Sequence, residues 1–341
     1  MHHALQSASN GVDVHYFFYK EFYTRNHLSP WILAGALAAA GAAQAFPDRT
    51  VTLVVPFGAG SSVDIHGRDF AQALSAIAKQ SVVVDNRAGA EGTIGAVAVL
   101  HTAPDGHTLM LTSSSIPVLD PVLKKTMQFD PAKDFTPICT VGRNLIVMNI
   151  HAGSPHKTAA DVIAAAKKEP GKLTFAYSTA TTRLSGELFQ QAAGIKLTGV
   201  PYKTSAAGLT DVASGVVDLF FIDNISALPH YQSGRVRPLV VSTDERIKGL
   251  PDVPTGKEAG VPGYNIQPWF GVYASAKTPP AVVNQLRELA SQALKTPLAI
   301  SNMEKRQLAP FLVCGDAMAK FQQGEVTLWR EVTKKSGIEP E

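Results

Sequence analysis

Short β-branched runs alternate with amphipathic stretches along most of this chain, and that alternation leaves few folds open. Such an order is typical of βαβ units, in which each strand is followed by a helix that packs back onto a sheet. The predicted strands are 51–56, 81–85, 108–112, 173–177, 197–201 and 217–222. The predicted helices lie at 63–78, 94–99, 158–168, 186–193, 205–214, 279–294 and 316–334. The sequence therefore predicts an α/β protein.

An apolar segment near the N-terminus has the pattern of a secretory signal peptide. Residues 31–40 follow the basic residues Lys20 and Arg25 and lead to the small-residue sequence at 43–45. A membrane-spanning helix needs about 20 consecutive apolar residues, and this run is shorter. We therefore expect residues 1–45 to be a signal peptide with an unusually long leader, and the protein to be secreted.

The size and charge of the remaining chain restrict its organisation and its partners. About 300 residues exceed the usual size of one hydrophobic core, which favours two lobes. Charged residues make up 17% of the chain and the formal net charge is +3, so we expect no nucleic-acid partner. The two cysteines, Cys139 and Cys314, are too few for a disulfide framework. We expect them to be buried free thiols rather than a disulfide bridge, although secretion would permit one bond.

Two apolar strands flank a run of βαβ units about the size of a small domain. They are Leu145–Ile150 and Trp269–Ser275, and we interpret them as a paired hinge between lobes. The first lobe then consists of residues 46–148 plus 270–341, and the second of residues 149–269. The alternative is that both are ordinary core strands of one large sheet.

Three junctions between a strand and the following helix are rich in small and hydroxyl residues. They are 56–64, 112–115 and 177–183, and open α/β sheets bind ligands at such carboxyl ends of strands. An anion at such a junction needs no lysine, because the free amides and the positive end of the helix dipole favour negative charge. The alternative is that each is a capped loop without a ligand.

Competing kinds of site have weaker support in the sequence. Gly58 begins a dinucleotide-like glycine pattern, but Val63 stands where its third glycine belongs. His151 and His156 are five residues apart in a Gly/Pro loop, which does not match a metal site. Asp64 is either a buried base or an ordinary partner of the helix dipole. We therefore expect no cofactor and no metal.

A series of short motifs runs in order along the chain from Phe46. The motifs are Phe46–Phe57 with the Gly/Ser loop and Asp64, Val84–Gly95, Ala103–Leu109, Phe129–Phe135, Gly186–Phe189, Val200–Lys203, Asp223–Asn224, Ser226–His230, Leu250–Thr255 and Trp269–Gly271. Each motif is weak alone, but together and in this order they resemble the Bug proteins, the periplasmic receptors of tripartite tricarboxylate transporters. The resemblance covers essentially the whole chain after the predicted signal peptide.

The resemblance implies a two-lobed, Venus-flytrap receptor whose lobes are joined by two β-strands. A carboxylate is then held between loops, largely by backbone amides and ordered water. Carried onto this sequence, the resemblance gives as candidate ligand-binding residues Phe57, Gly58, Ala59, Gly60, Ser61, Asp64, Ser178, Thr179, Ala180, Thr181, Arg183, Thr204, Ser205, Asp223 and Trp269. The hydroxyl-rich junction at 112–115 adds Ser113 and Ser114.

The candidate loops depart from the family pattern at several places. Ser61 replaces the second of two adjacent glycines, and the loop from Ser178 to Arg183 is short and lacks its usual histidine. Arg183 either binds the distal carboxylate of a diacid through forked hydrogen bonds or is an exposed helix residue. Asp223 either selects a ligand with an amino or hydroxyl donor or caps the following turn.

The sequence therefore favours a periplasmic, monomeric receptor that is not an enzyme. Its expected ligand is a small organic carboxylate: a di- or tricarboxylate, an acidic amino acid or an aromatic acid. Its expected partners are the membrane subunits of a tripartite tricarboxylate transporter or a sensor protein. The alternative is a secreted α/β enzyme acting on a carboxylate, which would need a base and a nucleophile that the loops do not obviously supply.

Overall fold

A computed structural model of the chain describes residues 46–306, 311–335 and 337–340. The predicted signal peptide, residues 1–45, lies outside the described residues. The helices within these ranges lack a continuous apolar stretch of the length that a bilayer-spanning helix requires.

The first sheet has five strands: β1 (Val51–Val55), β2 (Val82–Asn86), β3 (Thr108–Ser113), β4 (Phe135–Arg143) and β10 (Trp269–Ser275). Their order in the sheet is β2-β1-β3-β10-β4. Strand β1 pairs in parallel with β2 and β3, whereas β10 is antiparallel to β3 and β4. The parallel part of this sheet follows from the predicted βαβ units, because a crossover helix lets the next strand run in the same direction.

The second sheet has five strands: β5 (Ile146–His151), β6 (Thr174–Tyr177), β7 (Thr198–Pro201), β8 (Leu219–Asp223) and β9 (Val236–Val241). Their order in the sheet is β7-β6-β8-β5-β9. Strand β6 is parallel to β7 and β8, and β5 is antiparallel to β8 and β9. Two mixed sheets with associated helices confirm the predicted fold class, and each sheet with its helices is one lobe.

Helices connect the strands and cover the sheets. The first helix, α1 (Ser62–Ala78), follows Ser61, whose side chain accepts a hydrogen bond from the Asp64 amide. It is closed at its C-terminus by Lys79, which adopts the left-handed conformation. A 3₁₀ turn (Ala90–Gly92) and a π-helical segment (Ser115–Leu119) occur in the first lobe. The α-helices are α1 (Ser62–Ala78), α2 (Thr93–Leu100), α3 (Asp120–Leu123), α4 (Pro131–Asp134), α5 (Ala159–Lys168), α6 (Ala180–Ala193), α7 (Ser205–Ser214), α8 (Asn224–Gln232), α9 (Pro280–Leu294), α10 (Pro297–Lys305) and α11 (Gly315–Lys335).

The chain passes between the two sheets twice. The first passage lies between Arg143 and Ile146, and the second lies between Val241 and Trp269. Strands β5 and β10 each lie wholly within one sheet, so the connections before them carry the chain across. The amide of Asn144 donates to the carbonyl of Pro268 at 2.8 Å, which ties the two connections together.

A disulfide bond joins Cys139 to Cys314, so the expectation of free thiols is wrong. Cys139 is fully buried in β4, and Cys314 forms an isolated antiparallel bridge to it. The neighbouring backbone bond from the Thr140 amide to the Val313 carbonyl (2.9 Å) holds the C-terminal segment along β4. The sequence could not reveal this pairing, because 175 residues separate the two cysteines.

Candidate functional site

A cavity of about 40 Å³ lies between the lobes, where strands from both sheets end. This is the position at which open α/β sheets bind ligands. Hydroxyl-bearing residues and apolar residues make up most of its wall. The lining residues are Phe57, Ser61, Ser62, Val63, Ser113, Ile146, Thr179, Thr181, Thr182, Ser205, Ile222, Asp223, Pro268 and Phe270.

The first-lobe wall is the loop before α1, and the Asp64 carboxylate holds it in shape. This carboxylate accepts hydrogen bonds from the Gly60 amide (2.9 Å), the Arg68 guanidinium (3.0 Å) and the Asn86 amide group (3.0 Å). Asn86 also donates to the carbonyl of Phe57 at 3.1 Å. Burial raises the pKa of Asp64, but these hydrogen bonds outweigh it and leave the pKa below its usual value. Asp64 is therefore an ionised support of the loop, as a residue in the first turn of a helix commonly is.

The second-lobe wall is built from the capped N-termini of α6 and α7. Thr179 and Thr182 form a capping box: the Thr179 hydroxyl accepts from the Thr182 amide at 3.2 Å, and the Thr182 hydroxyl accepts from the Thr179 amide at 3.0 Å. Because of this cap, α6 begins at Ala180 and not at Gly186 as the apolar pattern predicted. The hydroxyls of Ser178 and Ser205 lie 2.9 Å apart and connect the two helix ends.

Asp223 ends strand β8 and caps α8. Its carboxylate accepts from the Ser226 amide (2.8 Å) and from the Ser226 hydroxyl (3.1 Å), and its side chain is buried, with 6% of the residue exposed. Burial raises the pKa of Asp223, against hydrogen bonds from Ser226 and Ser62 that lower it. Asp223 is the ionisable member of the described cavity lining.

Direct hydrogen bonds join the two lobes at the cavity. The Ser62 amide donates to the Ser226 hydroxyl at 3.0 Å, and the hydroxyls of Ser115 and Thr181 lie 2.7 Å apart. The Thr181 amide also donates to the Ser115 hydroxyl at 3.3 Å. The two lobes are therefore joined at two places beside the cavity, and a separation of the lobes at these places would break the bonds.

A buried histidine lies behind the cavity, beside the two connections between the lobes. His66 projects from α1, and its Nε2 lies 3.2 Å from the Asn144 Oδ1. Its ring packs on Phe270, with 4.1 Å between ring centroids. Burial lowers the pKa of His66 to about 4, so its imidazole is neutral at pH 7. The arrangement couples α1 to the first connection through Asn144 and to β10 through Phe270.

The structure brings several of the predicted site residues together at the cavity. Those that line it are Phe57, Ser61, Ser113, Thr179, Thr181, Ser205 and Asp223. The predicted residues that do not line it are Gly58, Ala59, Gly60, Asp64, Ser114, Ser178, Ala180, Arg183, Thr204 and Trp269. Of these, Thr204 caps α7. Its side chain also packs against the first-lobe loop, because a Cβ atom placed on Gly58 would lie 3.0 Å from the Thr204 methyl carbon.

Two of the predicted residues face other parts of the protein. Arg183 forms an ion pair with Glu187, one turn along the same helix, at 2.9 Å, and its side chain is 13% exposed. Trp269 is 1% exposed and packs on Phe321, with 5.3 Å between ring centroids.

Further lining residues were not singled out from the sequence as binding residues. Ser62, Val63 and Thr182 lie inside the predicted loops, and their loop positions were the signal that could have found them. Ile146, Ile222, Pro268 and Phe270 are apolar and lie at strand ends or connections, where a sequence pattern cannot distinguish a cavity wall from the core. Among the described residues, no cluster of three or more histidine, cysteine or acidic side chains could hold a metal ion.

Comparison with known proteins finds the same architecture. A family model described as "Tripartite tricarboxylate transporter family receptor" matches residues 67–338. Protein BugT of Bordetella pertussis is 31% identical over 310 residues, which covers 90% of this chain and 95% of BugT.

Two of the similar solved structures contain a bound organic acid. The R. palustris protein Rpa4515 with adipate is 35% identical, with a TM-score of 0.82, covering 87% of this chain and 100% of that one. MatC from Rhodopseudomonas palustris with bound malate is 29% identical, with a TM-score of 0.77, covering 84% and 99%. These matches extend over both lobes and therefore include the cavity between them.

Proposed function

Because this chain belongs to the receptor family of tripartite tricarboxylate transporters, whose members include periplasmic binding proteins, we propose that it captures a small organic carboxylate between its lobes. We further propose that it delivers this ligand to the membrane subunits of such a transporter. The candidate ligands are a di- or tricarboxylate, an acidic amino acid or an aromatic acid. A sensor protein is an alternative recipient.

One observation carries the proposal: capped helix N-termini from both lobes meet at a single cavity. The N-terminus of α1 lies at the cavity from the first lobe, and the N-termini of α6, α7 and α8 lie there from the second. Each helix N-terminus carries partial positive charge, which favours an anion. The adipate and malate held by two relatives support the choice of a carboxylate as that anion.

The expected affinity agrees with the number of available donors. Hydrogen bonds to a charged group are worth about 1.5 to 3 kcal/mol each. Three or four of them, less the cost of ordering, could reach the roughly 8 kcal/mol that a micromolar dissociation constant requires. Hydroxyls of Ser61, Ser113, Thr179 and Ser205 are among the donors that line the cavity.

Contacts to both walls also explain how a ligand would favour lobe closure. A ligand shifts a conformational equilibrium only by the difference in its interaction energy with the two states. A carboxylate bound to both lobes has more contacts when the bonds Ser62–Ser226 and Ser115–Thr181 are formed. The membrane subunits would then distinguish the liganded protein by its closed shape.

We propose a receptor rather than an enzyme, because the family to which the chain belongs is one of solute-binding receptors. The remaining expectations, a monomeric state and a cleaved signal peptide, stay predictions. Size-exclusion chromatography with light scattering and N-terminal sequencing of the secreted protein would test them.

A thermal-shift screen of the secreted protein against mono-, di- and tricarboxylates, with uncharged amides of equal size as controls, tests the proposal. A ligand at 100 times its dissociation constant adds about 2.7 kcal/mol to stability. We expect an increase in melting temperature with at least one acid and none with its amide. If no carboxylate stabilises the protein, the proposal is wrong.

A further inference from the structure

We propose that Lys124 positions the first-lobe side of the cavity by pairing with both Glu91 and Asp120. Glu91 lies in the turn that backs the cavity residue Phe57, and Asp120 follows the π-helical segment that begins at Ser115. Lys124 is not among the described residues that line the cavity. The inference deepens the proposed function and rests on it, because the consequence of this positioning is the affinity for the bound acid.

The 3₁₀ turn Ala90–Gly92, which precedes α2, packs its backbone against the cavity wall. A Cβ atom placed on Gly92 would lie 3.2 Å from Cζ of Phe57 and 2.8 Å from Cδ1 of Ile116. Phe57 lines the cavity, and Ile116 belongs to the π-helical segment. A shift of this turn would therefore remove the backing of the Phe57 ring.

Two residues of the same turn adopt a backbone conformation that residues with a side chain rarely take up. Ala90 has a φ of 45° and Glu91 a φ of 53°, both in the left-handed region. Such conformations persist only where the surrounding contacts hold them. The Glu91 carboxylate has such a contact, because its Oε2 lies 3.2 Å from Nζ of Lys124. The ion pair thus stabilises the turn.

Lys124 also reaches a second carboxylate, which is fully buried. Its Nζ lies 3.1 Å from Oδ2 of Asp120, whose side chain is 0% exposed. Exposed ion pairs contribute little, whereas removing one partner of a buried pair leaves an uncompensated charge inside the protein. Burial raises the pKa of Asp120 to about 7, against the attraction of Lys124, which lowers it. Lys124 therefore favours the ionised form of a carboxyl group that water does not reach.

Asp120 directly follows the segment that bonds to the second lobe. This π-helical segment begins at Ser115, whose hydroxyl lies 2.7 Å from that of Thr181. Ser113, the last residue of β3, lines the cavity. One atom of Lys124 therefore pairs both with the end of this segment and with the turn described above. Loss of that cation should loosen both.

Hydrogen–deuterium exchange of the unliganded protein, read for single amides by NMR, tests the positioning without a ligand. Lys124→Met keeps most of the length of the side chain but removes its charge. We expect the amides of the π-helical segment and of Thr181 to exchange roughly fivefold faster or more, because the bond between the lobes opens more often. The amides of strand β9 should keep their wild-type rates, whereas general destabilisation would accelerate these as well.

Two further variants assign the effect to the cation. Lys125→Met is the matched control, because it makes the same exchange at the exposed next residue. It should leave the exchange rates unchanged. Lys124→Arg restores a positive charge at the original position and should bring the rates back to within about twofold of the wild type.

Titration calorimetry with malate and with adipate measures the consequence for binding. For whichever of these acids binds the wild type, we expect Lys124→Met to bind it roughly fivefold more weakly or worse, since part of the binding energy is then spent on ordering the wall. Lys125→Met should bind it as the wild type does.

The outcomes separate the two proposals. Unchanged exchange in a folded Lys124→Met, or no recovery in Lys124→Arg, overturns the inference and leaves the carboxylate receptor intact. Binding of no carboxylate at all overturns the proposed function, while the exchange rates still decide on the positioning. If Lys124→Met does not fold, Glu91→Gln, which removes the less buried of the two pairs, takes its place with the same expectation.

Discussion

The two lobes have sheets of equal size but are assembled from the chain in different ways. The second lobe is one continuous segment from β5 to β9, whereas the first combines β1–β4 with β10 and the C-terminal helices. Long-range bonds hold the parts of the first lobe together: the disulfide Cys139–Cys314 and a forked ion pair from Arg306 to Asp69 at 2.6 and 3.0 Å. From this difference we expect the unfolding free energy to depend, in the first lobe, on the disulfide and on ion pairs between residues far apart in sequence. In the second lobe it should depend on helix caps formed by residues close together in sequence.

The largest expected effect comes from removing the disulfide. In the double variant Cys139→Ser, Cys314→Ser we expect the free energy of unfolding to fall by about 4 kcal/mol, because the bond closes a long loop in the unfolded chain. Urea unfolding measures the change. If the urea midpoint of the double variant equals that of the wild type, the disulfide does not stabilise the first lobe and this contrast between the lobes is wrong.

Acidification should produce the next largest effect, through His66. The pKa of His66 is about 4 in the folded protein and about 6.5 when unfolded, so folding favours the neutral ring. Its stabilising contribution is complete above pH 6.5 and is lost as the pH falls from 6.5 towards 4. The loss should reach about 3 kcal/mol.

Urea unfolding at several pH values, on the wild type and on His66→Phe, measures this loss. Phenylalanine keeps an aromatic ring against Phe270 but cannot titrate. We therefore expect the variant to lose less stability between pH 6.5 and 4. Equal slopes in the two proteins would remove His66 as the cause.

The charged support of the first-lobe loop should matter by an intermediate amount. Asp64→Ala leaves the Gly60 amide without its acceptor and releases Arg68, so we expect a loss of about 2 kcal/mol in unfolding free energy. Since the pKa of Asp64 is lowered by folding, this contribution is present above its unfolded pKa of about 4 and is lost as the pH falls through the folded value. Asp85→Ala, which removes an exposed ion pair to Arg87, is the control and should cost less than about 1 kcal/mol.

The smallest expected effect lies in the second lobe. Thr179→Ala removes the cap of α6 and should lower the unfolding free energy by about 1 kcal/mol. Thr210→Ala removes an exposed mid-helix threonine and should be close to neutral. If Thr179→Ala lowers the unfolding free energy more than Asp64→Ala does, the second-lobe wall contributes more to stability than the first-lobe wall, contrary to our expectation.

Local patterns predicted most of the sheet and much of the cavity wall. Strand β1 was predicted at 51–56 and occupies Val51–Val55, because its β-branched run is bounded by a Gly/Ser turn. Two edge strands, β4 and β9, were not predicted. Pro137 and Pro238 interrupt their patterns, and an edge strand tolerates a missing amide that a central strand does not.

Contacts between distant residues account for the parts that the sequence could not predict. Ser62 and Ser226 are 164 positions apart, and no local propensity brings a serine amide to a particular hydroxyl in the other lobe. The role of Arg183 also stayed open. Its pairing with Glu187 is a local contact that the spacing of four residues allows, but the spacing does not tell whether the guanidinium lines the cavity. Residue type identified the loops, and tertiary packing decided which of their side chains reach the cavity.

The bond from the Asn144 amide to the Pro268 carbonyl has a mechanical consequence. Two connections fastened side by side resist bending in their common plane more than bending out of it. We therefore expect the lobes to separate by bending across that plane, with Asn144 and Pro268 kept together. The direction from which a solute can enter would then be set by the orientation of that plane.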